Sequence, residues 1–258
     1  MKFGLIGHPI EHSLSPALFK AGYNGLYPYD LIITEDFEEA YRRFMDGYDG
    51  INVTAPFKEL ALRKADIISE ECRLVGAANI LIKSPQGITA YNSDFRGLVA
   101  MFRGLKGDCP LSDHEKTVLI VGAGGAGKAA KAASEALGYE TTVINRTQYN
   151  PEIKPLSAFR EEFRKADIVI YNLPVRIPEI DMLTETDLCP GKEKVILEAN
   201  YRNPSFDNEL IQRMVDVNPL ISYIDGREWL LQQAVTGYEL FTGETPDYEA
   251  MKEVIKSK

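Results

Sequence analysis

Thr117-Val118-Leu119-Ile120-Val121, then Gly122-Ala123-Gly124-Gly125-Ala126-Gly127, then an alanine-rich run to Leu137, is the stretch that decides the fold. The β-branched run predicts a buried strand and the alanines predict a helix. Between them, Gly122 serves the tight turn, Gly124 lets backbone approach a pyrophosphate, Gly125 and Ala126 open the helix, and Gly127 allows close packing. A glycine-rich turn alone is a weak signal, but one set between strand and helix points to dinucleotide binding, with the anion on the helix N-terminus. Gly138 ends the helix, and Glu140 to Ile144 forms the next strand. That strand runs into Asn145-Arg146-Thr147, where an NAD site would place an acid for the ribose hydroxyls. A guanidinium pairs instead with a 2′-phosphate, so NADP(H) is expected over NAD.

Working outward, further βα units follow: strands at Ala166 to Tyr171, Lys194 to Leu197 and Ile221 to Ile224, and a helix at Asn208 to Val215. These make a Rossmann-like domain. The first hundred residues also alternate strands (Lys2 to Ile6, Tyr29 to Thr34, Gly50 to Val53, Asn79 to Lys83) with helical stretches, the pattern of an α/β layer. Ser15-Pro16 reads as a cap and first helical residue for a helix to Asn24. Asp36 to Gly47 carries apolar residues at helical spacing. Ser84, Pro85 and Gln86 turn a hairpin into Ile88 to Tyr91, and the Gly-, Asp- and Pro-rich run Gly104 to Glu115 reads as a boundary. Trp229 to Phe241 and Asp247 to Ile255 predict two closing helices.

Composition excludes several classes. The 258 residues are 45% hydrophobic and 26% charged, which fits a globular chain and not disorder. A net charge of −9 has the wrong sign for nucleic-acid phosphates. Cys72, Cys109 and Cys189 are widely spaced and suggest reduced thiols, and no run is long enough for a membrane helix. A cytoplasmic protein with no targeting segment is expected. Pro9 separates His8 from His12, so no metal is implied, and the glycine loop lacks the trailing Lys-Ser/Thr of an ATP-hydrolysing P-loop. Tyr41, Phe44, Trp229 and Phe241 read as core, and Glu161-Glu162 and Lys252-Glu253 as solvated helix faces.

In the first half, Ser13 and Ser15 lie at a strand-to-helix turn whose free N–H groups could hold a carboxylate. Asn52-Val53-Thr54-Ala55-Pro56-Phe57-Lys58-Glu59, Gly76-Ala77-Ala78-Asn79, Tyr91-Asn92-Ser93-Asp94 and Gln232-Gln233-Ala234 follow in order around the glycine loop. Together these motifs resemble the shikimate dehydrogenase family over most of the chain. The resemblance implies NADP-dependent, reversible reduction of 3-dehydroshikimate to shikimate. It implies an N-terminal α/β substrate-binding domain (1–103 and 227–258), a Rossmann-like domain (104–226), and a C-terminal helix returning to the first. Carried over, Ser13 and Ser15 bind the substrate carboxylate, and Asn52, Thr54, Asn79 and Gln233 bind its hydroxyls. Lys58 and Asp94 form the catalytic pair, Tyr201 lies near the substrate, and Arg146 and Thr147 hold the 2′-phosphate on a loop shaped by Asn145.

The chain departs from the family pattern in places. Tyr171-Asn172-Leu173-Pro174-Val175-Arg176-Ile177 replaces an Asn-Ala-Thr run followed by Gly-Met; Glu198 replaces Asp; Asn203 adds a residue to Tyr-x-Pro; Trp229 replaces Met. Gln148, Tyr149 and Asn150 stand where a second basic residue often follows Asn-Arg-Thr. A quinate/shikimate dehydrogenase or a non-catalytic dinucleotide sensor would share the scaffold. The expected partners are a small-molecule substrate and the cofactor, in a monomer or homodimer.

Overall fold

The computed structural model describes residues 1–108 and 116–257. The chain forms two compact units, Met1–Leu98 with Leu230–Lys258, and Val99–Trp229. The divisions fall inside helices rather than in a linker.

In the first unit the order is β1 (Phe3–Gly7), α1 (Ser15–Gly22), β2 (Tyr29–Ile33), α2 (Phe37–Gly47), β3 (Gly50–Val53), α3 (Lys58–Arg63), β4 (Ile67–Ile68), α4 (Glu70–Val75), β5 (Ile80–Ser84), β6 (Gly87–Tyr91) and the start of α5 (Ser93–Asp108). One six-stranded sheet runs β2-β1-β3-β5-β6-β4. β1 is parallel to β2 and β3, while β5 is antiparallel to both β3 and β6. Helix α2 packs Phe37, Ala40 and Phe44 inward and is capped by Asp36, whose carboxylate accepts from the N–H groups of Glu38 and Glu39.

Three readings need correction here. Ser15 is the first helical residue and not the cap: Leu14 holds that position, and Ser13 Oγ accepts the Ser15 N–H at 3.2 Å. The helix also stops at Gly22, short of Asn24, because Asn24 and Gly25 take left-handed backbone and the Gly25 N–H turns back to the Lys20 carbonyl. The expected boundary loop is helical over its first part, since α5 continues to Asp108; the remainder, 109–115, lies outside the described residues together with Cys109.

The second unit continues with β7 (Thr117–Val121), α6 (Gly125–Ala136), β8 (Glu140–Ile144), α7 (Phe159–Lys165), β9 (Ile168–Tyr171), α8 (Pro178–Asp181), α9 (Glu185–Leu188), β10 (Lys194–Glu198), α10 (Asn208–Val217) and β11 (Ile221–Asp225). The strands form an all-parallel sheet in the order β11-β10-β9-β7-β8. The order reverses at β7, so the loop after β7 lies where open α/β sheets bind ligands. Phe159, Phe163, Val169, Tyr171, Ile196 and Phe206 form its core. Glu162, read as solvated, is buried on α7, where Lys154 and Lys165 pair with it at 3.1 and 2.9 Å.

Helix α11 (Gly226–Thr242) returns the chain to the first unit, and α12 (Tyr248–Lys256) ends it. Leu231, Ala234, Tyr238 and Phe241 of α11 pack with Phe3, Leu18 and Phe19. Among the described residues, no helix is long and apolar enough to cross a membrane.

Candidate active site

In the first unit, Lys58 opens α3 and Asp94 sits in the first turn of α5, 36 positions later. The fold brings Lys58 Nζ to 2.5 Å from Asp94 Oδ2, with the side chains only 19% and 9% exposed. The Ala78 N–H donates to the Lys58 carbonyl at 3.0 Å, tying the start of α3 to the segment before β5. A half-buried ammonium held by a buried carboxylate has a fixed direction for its remaining protons.

Around the pair, Asn79 and Asn92 are fixed by backbone. Asn79 Oδ1 accepts the Ser93 N–H at 2.7 Å and its Nδ2 donates to Ser93 Oγ at 3.1 Å, so much of its amide is spent on capping α5. Asn92 donates to the Ala77 carbonyl and accepts the Phe95 N–H. Asn52 Oδ1 accepts from the Tyr29 hydroxyl at 2.7 Å. The hydroxyls of Ser13 and Ser15 are 3.1 Å apart, and the Tyr238 hydroxyl donates to the Ser15 carbonyl at 3.1 Å. Burial pushes the phenols of Tyr29 and Tyr238 well above their usual range, which keeps both neutral as donors. Thr54 follows β3 and Gln233 lies on α11, both half-buried in this unit. Tyr29 and Tyr238 carry no motif in the sequence, because each meets these residues only through a partner distant in the chain, and Ser93, inside the Tyr91–Asp94 motif, acts through Asn79.

In the second unit, Gly122 has φ +98°, and a Cβ on Gly127 would stand 1.9 Å from the Gly122 carbonyl oxygen. The turn and the helix start therefore exclude side chains at both positions. Beside Gly124 a Cβ would meet nothing, so that backbone is open to a ligand. Asn172 Oδ1, at the end of β9 and next to Gly122, is buried with no hydrogen-bond partner among the described residues. An open glycine turn, a helix N-terminus and an orphan acceptor fit a dinucleotide.

Asn145 braces the loop after β8: its Oδ1 accepts the Ala123 N–H at 3.4 Å and its Nδ2 donates to the Thr147 carbonyl at 2.9 Å. Arg146 and Thr147 are exposed on that loop. Tyr201 lies on the loop after β10, which Glu198 anchors. Fully buried, Glu198 accepts from the N–H groups of Ser205 (2.5 Å) and Phe206 (3.1 Å) and from the Tyr223 hydroxyl (2.9 Å). The longer acid thus reaches across the loop that Asn203 lengthens. No group of three or more His, Cys, Asp or Glu among the described residues could hold a metal.

Comparison with known proteins agrees with this geometry. Residues 5–81 match the shikimate dehydrogenase substrate binding domain and 226–256 the shikimate 5′-dehydrogenase C-terminal domain. Residues 103–218 match the NAD binding domain of D-isomer specific 2-hydroxyacid dehydrogenases. The NADP(+) shikimate dehydrogenase of Caldanaerobacter subterraneus is 31% identical, with 99% of this chain and 96% of that protein covered. The chain belongs to the shikimate dehydrogenase family. Bacillus licheniformis has a relative of the same name, 29% identical over 98% of this chain and 95% of its own length. The crystal structure of shikimate 5-dehydrogenase from Thermus thermophilus in complex with NADP(H) and shikimate superposes with a TM-score of 0.80 at 27% identity, covering 100% of this chain and 99% of that one. A quinate dehydrogenase from Corynebacterium glutamicum, at 23% identity and a TM-score of 0.76, shares the fold.

Proposed function

We propose that the protein is an NADP-dependent shikimate dehydrogenase that reversibly reduces 3-dehydroshikimate to shikimate, a step toward chorismate and the aromatic amino acids. The observation that carries the reading is the Lys58–Asp94 contact of 2.5 Å within the unit matched by the substrate binding domain. A sensor that only bound dinucleotide would have no use for it. Residues 1–103 and 227–258 form the substrate unit in this reading, and 104–226 the NADP-binding unit. Its setting is the cytoplasm, which suits the free thiols of Cys72 and Cys189.

When bound, NADPH supplies a hydride to the carbonyl carbon. The carbonyl π pair moves onto oxygen, and that oxygen takes a proton from the Lys58 ammonium, so a ketone becomes a secondary alcohol. Asp94 holds the ammonium in line for this transfer. Ser13 and Ser15 bind the carboxylate, while Asn52, Thr54, Asn79 and Gln233 address the hydroxyls. In the reverse direction neutral Lys58 accepts the hydroxyl proton. Arg146 and Thr147 bind the 2′-phosphate, with Gly122, Gly124, Gly125, Ala126 and Gly127 around the pyrophosphate.

The test is NADPH consumption with 3-dehydroshikimate, run beside 3-dehydroquinate. Turnover confined to 3-dehydroshikimate is expected; absence of turnover with both, in protein that binds NADPH, defeats the reading. Within this scheme Ser15→Ala should raise KM for 3-dehydroshikimate about tenfold, the scale of one hydrogen bond to a charged group, and leave kcat within about twofold. An unchanged KM would reduce the Ser13–Ser15 turn to a helix start.

A further inference from the structure

Ala123 stands between Gly122 and Gly124 in the glycine turn, and side chains of the loop after β8 take both of its backbone polar groups. Its N–H donates to Asn145 Oδ1 at 3.4 Å, and its carbonyl accepts the Tyr149 hydroxyl at 3.1 Å. Arg146 and Thr147, the expected 2′-phosphate ligands, lie between those two residues, so they are carried on a span hung at both ends from one residue of the turn. The turn is also fixed by backbone: the Gly122 N–H donates to the Ile144 carbonyl at 2.8 Å and the Lys128 N–H to the Gly124 carbonyl at 2.9 Å. The base of the loop is closed by the Asn145 N–H to the Lys154 carbonyl (3.0 Å) and the Lys154 N–H to the Val143 carbonyl (2.9 Å).

Tyr149 is 58% exposed, so burial holds its ring only loosely and the hydroxyl bond is what directs it. Ala123 and Tyr149 both line a cavity of about 380 Å³ in which Lys128 and Lys131 are matched by Glu135 and Glu152, so the cavity offers an anion no net charge. Gln148, Tyr149 and Asn150 add no cation to the loop. Recognition of a phosphate there therefore falls to Arg146, an exposed guanidinium. Such a pair in water is weak, and it gains most when the cation is already held where the anion arrives. The pyrophosphate and the 2′-phosphate of one cofactor are a fixed few bonds apart. The spacing between the glycine turn and Arg146 thus decides whether both can be met at once.

We infer that Tyr149 is a positioning residue for the choice of NADPH over NADH: its hydroxyl bond to Ala123 sets the spacing between the glycine turn and Arg146, and so pre-organises the span that meets the 2′-phosphate. The inference rests on the NADP reading above and adds to it a neutral residue outside the Asn-Arg-Thr motif, one that acts through Arg146. A ligand without the 2′-phosphate does not use the span and gains nothing from the tie.

The test is calorimetric titration of the full-length protein with NADPH and NADH, and with adenosine 2′,5′-bisphosphate and AMP, each pair differing by the 2′-phosphate. Tyr149→Phe keeps the ring and removes the donor. It should weaken NADPH and the bisphosphate about fivefold, within the range for one neutral hydrogen bond, and leave NADH and AMP within about twofold. Because Tyr149 acts through Arg146, Tyr149→Phe made on Arg146→Gln should weaken NADPH by less than about twofold further. Equal weakening of all four ligands would overturn the inference by making the bond a general brace of the glycine turn. Unchanged or tighter NADPH binding would overturn it by making Tyr149 idle, or a group that the cofactor displaces. So would an undiminished loss in the Arg146→Gln background, which would make Tyr149 independent of Arg146. Wild-type protein that binds NADH as tightly as NADPH would overturn the NADP reading instead, a result distinct from wild-type discrimination that Tyr149→Phe leaves intact.

Discussion

Lys58→Met is expected to lower kcat for 3-dehydroshikimate reduction by about 10² to 10⁴, the cost of losing a positioned general acid. Methionine keeps much of the length and stem of lysine but presents no proton to the nascent alkoxide. The dissociation constant for NADPH should stay within about twofold, because the glycine loop and Arg146 belong to the other unit. Asp94→Asn should also lower kcat, since the carboxylate that orients Lys58 Nζ from 2.5 Å is replaced by a neutral amide. The double variant should be little slower than Lys58→Met alone, as expected for residues that act as one unit. Stopped-flow single turnovers with melting curves for each variant check this. Fully multiplicative losses would mean that the two residues act independently, and near-normal turnover by Lys58→Met would remove the lysine from the chemistry.

The second unit was largely legible because its signals are local. A buried parallel strand reads as a β-branched run, and Gly122 to Gly127 state their own geometry: one positive φ and one contact too close for a Cβ. Even the bracing role of Asn145 follows from a short amide at the end of an edge strand. What the sequence could not show is which side chains meet across long separations. Glu162 looks like one of two surface acids on α7, yet it faces inward and collects Lys154 and Lys165. Tyr149 looks like a loop aromatic, 58% exposed, but its hydroxyl reaches back to Ala123.

Helix α5 is the clearest omission. Leu98, Met101 and Phe102 have helical spacing and are buried, but Gly97 and Gly104 depress local helix propensity and the polar run beyond them suggests a linker. Gly97 is required for a tertiary reason: a Cβ there would stand 2.5 Å from the backbone nitrogen of Gln233 on α11. Close approach of two helices thus selected a residue that, read locally, argues against α5. The same contact sets Gln233, an expected substrate ligand, beside the helix whose first turn carries Asp94. Legibility failed at the point where packing for function overrode propensity.

Asp187→Asn should cost about 3 kcal/mol of folding stability, at the low end of the range for removing one partner of a buried ion pair. Asp187 is a fully buried carboxylate on the short helix α9. It accepts from Arg160 Nη2 and Arg164 Nη2, each at 2.7 Å, and from the N–H and hydroxyl of Thr184 at 3.0 and 2.8 Å. An asparagine there keeps the shape but offers one acceptor oxygen and turns two donors toward a cluster of donors. The loss stays at the low end because both guanidinium groups remain 39% and 48% exposed and can be solvated. Burial alone would raise the carboxyl pKa, but the bonds from Arg164, the Thr184 N–H and Arg160 outweigh it and hold the group well below the usual carboxylate range. Its folded pKa lies below its unfolded value near 3.9, so its stabilisation is complete above that value and is lost as pH falls toward the folded pKa. Urea unfolding of wild type and variant should therefore show the full difference at neutral pH and a smaller one near pH 3, with the m-value unchanged. An equal difference at both pH values would mean that Asp187 stabilises α7 and α9 by shape and not by charge.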